Sequence, residues 1–167
     1  MIEWDVLLRR HGRMVWRTAY RLLGHAQDAQ DCMQETFLAA LRLSRQQQVK
    51  NWPGLLRHLA TARALDCLRS RMRERRSSAT GADVDSLPGP GGNPHQKAQA
   101  DELVKRLRAA LTELPPRQAE VFVLRFVEGM SYRDIGRALG LKKNAVGVLL
   151  HEARGRLRES LSEGDAR

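Results

Sequence analysis

A chain of 167 residues with 42% hydrophobic content is long enough for one ordinary domain or two small ones with compact cores. Aromatic residues make up only 5% and runs of β-branched residues are few, which favours helix over sheet. The formal charge of +10 suits a polyanionic partner, and no apolar stretch is long enough to span a bilayer or form the core of a signal peptide, so the expectation is a cytoplasmic protein without membrane insertion.

From Trp4 to Leu23, the apolar residues Leu7, Leu8, Met14, Val15, Ala19, Leu22 and Leu23 recur near helical period, and Gly24 is a stop signal. A second helix is expected from Ala26 to Leu43, with Ala29, Cys32, Met33, Thr36, Phe37, Ala40 and Leu41 on one side; Ser44 to Lys50 reads as a polar loop. Asn51-Trp52-Pro53 starts a third helix, since proline is tolerated in the first turn. That helix carries Leu55, Leu56, Leu59, Leu65 and Leu68 and ends in a run of arginines. Cys32 and Cys67 lack any companion at metal-ligand or redox spacing and read as small buried hydrophobes.

Ser77 to Pro94, SSATGADVDSLPGPGGNP, is dominated by glycine, proline and small polar residues and cannot bury a core, so a flexible linker is expected over residues 77–95. The fold class that follows is all-α: two small helical domains, 1–76 and 96–167, joined by that linker. In the second, Asp101 to Leu114 has helical periodicity, Pro115-Pro116 ends that helix and opens another through Phe126, and Gly129 closes it. Ser131 to Asp134 is a capping box that opens a short helix to Leu139; Gly140 makes the turn, and a long helix runs from Lys143 to Leu161.

Three segments could carry function. Ser131 to Leu150, SYRDIGRALGLKKNAVGVLL, has helix-turn-helix spacing, with Ile135, Leu139, Val146 and Leu149 facing inward and Lys142, Lys143 and Asn144 where groove contacts form. An ordinary helical hairpin shares the apolar pattern, and the polar start of the second helix favours DNA binding. The positive charge is uneven: residues 1–76 hold 15 basic and 7 acidic groups, and seven arginines fall within 57–76. From that segment alone, a partner-binding surface and a loose basic tail both remain open. His25, Asp28, Asp31 and Glu35 share a helical face that could be a solvated surface, an acidic docking patch or part of a metal site. No HExxH-type motif accompanies them, and no nucleophile–base pair or glycine-rich phosphate loop occurs elsewhere.

Taken together, these segments resemble the extracytoplasmic-function group of bacterial RNA polymerase sigma factors. Asp28-Ala29-Gln30-Asp31-Cys32-Met33-Gln34-Glu35-Thr36-Phe37-Leu38 is similar to the family's polymerase-binding segment. Trp52 through Arg73, with Ala64-Leu65-Asp66-Cys67-Leu68-Arg69, is similar to its promoter-melting segment. Leu114-Pro115-Pro116-Arg117-Gln118 and the helix-turn-helix are similar to its second domain. Each motif is weak alone, but their order and separation are specific.

The resemblance implies a subunit that binds core RNA polymerase and promoter DNA and has no catalytic residue, metal or cofactor of its own. It places Asp31, Gln34, Glu35 and Leu38 against polymerase. It places Lys50, Asn51, Arg57, Thr61 and Arg63 near the single-stranded minus-ten element, with Arg69 and Arg71 adding backbone charge. It also places Lys142, Lys143, Asn144, Val148, His151 and Arg154 around the minus-thirty-five recognition helix and offers Arg125 and Arg133 as phosphate contacts. An anti-sigma factor is a further partner that many relatives have. Two departures stand out. Thr61-Ala62 occupies a position where the family often has Arg-Asn, and Gly147, Val148 and Leu149 replace frequent basic or hydroxyl residues, so direct base readout there is expected to be poorer. The rival readings are a helix-turn-helix regulator acting without polymerase, a metal-dependent enzyme and an RNA-binding adaptor.

Overall fold

A computed structural model describes residues 1–78 and 92–165, and among these the chain is helical without a strand. The helices are α1 (Trp4–Leu23), α2 (Ala26–Gln46), α3 (Trp52–Ser77), α4 (Pro94–Glu113), α5 (Pro116–Phe126), α6 (Tyr132–Leu139) and α7 (Lys143–Asp165). The central stretch of the expected linker, 79–91, lies outside the described residues.

Local chemistry sets the boundaries. Gly24 ends α1 in the left-handed conformation at φ 66°, and the imidazole of His25 caps α2 by accepting from the Asp28 amide at 3.4 Å. The Asn51 side chain caps α3 by accepting from the Gly54 amide at 3.0 Å. Several boundaries differ from the sequence expectation: α7 runs to Asp165 rather than Leu161, α3 takes in Ser77 from the expected linker, and two further differences have a local cause. α2 runs through Ser44 to Gln46, because arginine and glutamine are good helix formers even without an apolar stripe. α4 starts at Pro94 rather than Asp101: Asn93 accepts from the His95 amide at 3.2 Å and the proline sits in the first turn, so residues 94 and 95 belong to the helix and not to the linker.

α1, α2 and α3 form one bundle around Leu7, Val15, Phe37, Ala40, Leu56 and Ala60. Trp4 and Trp52 close its end edge to face, with centroids 5.7 Å apart, so Trp52 serves the core rather than a stacking platform. In the second group, Val121, Leu124, Met130, Ile135, Leu139, Val146 and Leu150 hold α5, α6 and α7 together. The two groups also share a third core, in which Leu22, Leu65 and Leu68 meet Leu111, Ala119, Val123 and Leu157. Apolar periodicity marks such residues as buried but does not say which helix will cover them.

Candidate nucleic-acid interface

The helix-turn-helix is built on two glycines. Gly140 takes φ 68° at the end of α6, a conformation that costs a residue with a Cβ. Gly136 lies against the turn itself: a Cβ there would sit 2.6 Å from the Leu141 carbonyl oxygen, which no side-chain adjustment relieves. Ser131 Oγ accepts from the Asp134 amide at 3.1 Å and fixes the start of α6. Gly136→Ala is therefore expected to lower the melting temperature despite alanine's better helix propensity, and by more than Ala138→Gly, which at a partly buried position of α6 loses propensity worth about 1 kcal/mol and part of a methyl contact. Thermal denaturation followed by circular dichroism separates the two.

This turn presents α7 to solvent. Lys142, Lys143 and Asn144 are exposed at its start, and Val148 (57% exposed) and His151 continue the same strip at i+4 and i+7 from Asn144. Arg154 lies a turn beyond, its guanidinium 5.8 Å from the centroid of the exposed Phe126 ring. Arg133 is exposed on the first turn of α6. Arg125 is half-buried: it donates to the Met130 carbonyl at 3.0 Å and stacks over Tyr132 at 5.2 Å, so it braces the α5–α6 turn beside the groove face.

A second surface lies on α2. Asp31, Gln34, Glu35 and Leu38 are all exposed and fall on one side at i, i+3, i+4 and i+7. Leu38 is 52% exposed, a single apolar side chain amid acidic and amide groups. Gln27 donates to Asp31 at 3.1 Å, and Arg63 approaches Glu35 at 3.9 Å. The face shared with His25 and Asp28 is not assembled as a metal centre: His25 is the α2 cap, Asp28 pairs with Arg71, and no group of three or more candidate ligands occurs among the described residues. Burial pushes the Cys32 thiol up to about 11, and its Sγ donates to the Ala60 carbonyl at 3.7 Å, which fits a packing role.

The third surface, on α3, is more involved. Lys50 and Asn51 are exposed at its start, Asn51 spending its side chain on the cap, and Arg63 is partly open. Arg69 holds Asp66 at 3.1 Å. Thr61 is fully buried and so closed to a ligand in this arrangement, whereas Arg57 faces Glu128 at 3.7 Å with about a third of its side chain exposed. Arg71 serves the interior: it donates to the Leu23 carbonyl at 3.0 Å and pairs with Asp28, tying the ends of α1 and α2 to α3. Burial, then the like charges of Arg75 and Arg108, lower its pKa. Arg71→Ala is expected to lose about 2 kcal/mol of stability through the charge-assisted bond and the stranded carbonyl, while exposed Arg73→Ala leaves the urea midpoint unchanged.

Several groups carry no sequence signal. Thr18, His58, Glu120 and Glu128 meet between the two helical groups, although Thr18 and Glu128 stand 110 positions apart in the chain. His58 lies 3.6 Å from Glu120; burial, then Arg117, holds its pKa below the usual value, so a neutral ring meets a carboxylate whose own pKa burial raises against the opposing pull of Arg117.

Two helical groups, one presenting a basic recognition helix from a helix-turn-helix, define a DNA-binding architecture. Residues 7–74 match the family model described as Sigma-70 region 2, and residues 105–157 match Sigma-70, region 4. The chain is 39% identical over 163 residues to the ECF RNA polymerase sigma factor SigE of Mycolicibacterium smegmatis, covering 98% of this chain and 63% of that protein's length. It is 31% identical over 144 residues to the ECF RNA polymerase sigma factor EcfG of Rhodopseudomonas palustris, covering 83% of this chain and 74% of that one. The fold is similar to that of the sigma factor RpoE of Bartonella quintana, solved in complex with the anti-sigma factor NepR, with a TM-score of 0.58, 21% identity, and coverage of 96% and 97% of the two chains. This chain belongs to the extracytoplasmic-function sigma factors of RNA polymerase.

Proposed function

We propose that this protein joins core RNA polymerase in the cytoplasm and directs it to promoters, the polymerase supplying all of the chemistry. The α2 face of Asp31, Gln34, Glu35 and Leu38 docks on polymerase. The α3 face, through Lys50, Asn51, Arg57, Thr61 and Arg63, engages the strand exposed at the minus-ten element, where bases are read out of the stack by cationic grooves and pockets. The start of α7 enters the major groove of the minus-thirty-five element. An anti-sigma factor, the kind of partner seen with the Bartonella protein, is the regulatory counterpart this reading expects.

The observation that carries the reading is the solvent-facing strip of Lys142, Lys143, Asn144, Val148 and His151 on a helix held out by a glycine turn. Its test is transcription in vitro with core polymerase and genomic DNA. Discrete start sites that share two upstream elements are expected. If the protein binds such DNA but neither co-purifies with core polymerase nor redirects initiation, it is a regulator that works without polymerase.

A further inference from the structure

A cavity of about 280 Å³ lies where the last turns of α3 meet α4. Its apolar lining is Leu23, Leu68, Met72 and Ala109. The rest is mostly basic: Arg71 and Arg75 come from α3, one turn apart, and Lys105 and Arg108 from α4 at i and i+3. Arg106 also lines the cavity but is spent on Asp165 and the Leu161 carbonyl, and Glu102 brings one negative charge to the wall. Positive charge is in excess over a greasy surface. None of these side chains belongs to the docking strip of α2 or the groove strip of α7.

Arg108 is the least satisfied of these cations. Its guanidinium packs over Gly24, where a Cβ would come within 2.7 Å of Nη2, so the glycine leaves room for it. Nη2 donates to the Arg21 carbonyl at 3.3 Å, yet Nε is buried without a hydrogen-bond partner, and among the described residues no carboxylate pairs with the group. Buried charges are normally paired. Burial lowers the pKa of Arg108 against the longer-range pull of Tyr20 and Asp101. Arg71 is the contrast: the Leu23 carbonyl and Asp28 hold it as a fixed wall, where it feels the like charges of Arg75 and Arg108. An anion among these cations would relieve their repulsion. We propose that the cavity binds a nucleoside diphosphate, its phosphates held by Arg108 and Lys105 with Arg75 facing them and its base lying on Leu68 and Met72. A guanidinium fork takes phosphate oxygens in pairs and an ammonium adds a point charge, while a planar base suits an apolar floor. Small-molecule pockets run from roughly 300 to 1,000 Å³, so a cavity of this size takes a base and sugar and leaves the phosphates at the basic rim.

The test titrates ADP and GDP into the full chain, free of polymerase, by isothermal calorimetry. Saturable binding of one molecule per chain is expected. Inorganic pyrophosphate, which has the charges without the base and sugar, should bind about tenfold more weakly. Arg108→Ala and Lys105→Glu should each weaken nucleotide binding about tenfold or more. Lys105 is exposed, so its replacement tests the site even where Arg108→Ala disturbs the fold, which circular dichroism reveals. Arg73→Glu, exposed on α3 outside the lining, makes the same charge change as Lys105→Glu and should leave the affinity unchanged. The proposal fails if neither nucleotide gives saturable binding, or if Arg73→Glu weakens it as much as Lys105→Glu does, since net charge alone would then explain it. Pyrophosphate binding as tightly as the nucleotides would overturn the nucleotide assignment, because the apolar floor would play no part. A random single-stranded oligonucleotide that displaces the nucleotide and itself loses affinity with Lys105→Glu would place these cations on a nucleic-acid track and overturn the proposal as well.

Discussion

Gln34→Ala combined with Glu35→Lys is expected to abolish binding of core RNA polymerase and to leave helical circular dichroism unchanged. Both side chains are exposed on α2, so their replacement disturbs no core, and alanine and lysine are as helix-compatible as the residues they replace. Among the described residues the ion pair lost is the 3.9 Å approach of Arg63 to Glu35, a surface pair worth at most about 1 kcal/mol. The effect on the partner is larger. Reversing a charge within a docking patch replaces attraction by repulsion, and like-charge juxtaposition across an interface costs several kcal/mol, about a hundredfold or more in affinity. Leu38→Ala tests the apolar part of the same patch and is expected to weaken binding by about 2 kcal/mol if that side chain becomes buried. Pull-down and titration with core polymerase measure both. Unchanged affinity of the double variant would move the docking surface elsewhere.

Most of the helices were legible because their signals are local. Gly24, Asn51-Trp52-Pro53, Pro115-Pro116 and Gly140 are punctuation with a mechanical reason, and each marks a boundary in the structure within a residue or two. The start of α4 was missed because Asn93-Pro94 closes a glycine- and proline-rich run, where the same dipeptide signals a turn as readily as a capped helix. The exposure of the strips on α7 and α2 was readable because helical spacing says which positions turn away from the core; the roles proposed for them come from the resemblance. The α3 surface was not. Arg57, Arg69 and Arg71 look alike in the sequence, yet one faces Glu128, one holds Asp66 and one ties together the ends of α1 and α2. What an arginine does depends on which carboxylates and carbonyls the tertiary fold brings to it, and Glu128 and Asp28 come from other helices or turns. The shared core is a further case: Leu65 and Leu68 were expected to be buried, but covering by α4 and α5 is a property of long-range packing.

Under the proposed function, recognition of the upstream element by the holoenzyme rests on the exposed start of α7. Lys142→Ala with Lys143→Ala is expected to weaken binding to matched and scrambled duplexes alike, while Asn144→Ala relaxes discrimination between them. The lysines are exposed where the turn delivers α7, as mobile ammonium groups suited to phosphates rather than to base edges. Each phosphate contact removed takes about 0.9 from the slope of log affinity against log salt, so the double variant should flatten that slope by roughly 2. Asn144 carries no net charge and leaves the slope alone, but its amide can pair bidentately with adenine, a contact worth about 1–3 kcal/mol of discrimination. Gly147 offers no side chain and Val148 only an apolar contact, so few neighbouring groups compensate when Asn144 is lost, and what specificity persists should come from duplex shape. Holoenzyme is titrated with promoters that match or scramble the upstream element, across a salt series. The roles are reversed if the lysine pair changes sequence preference at constant slope while Asn144→Ala changes the slope and keeps the preference.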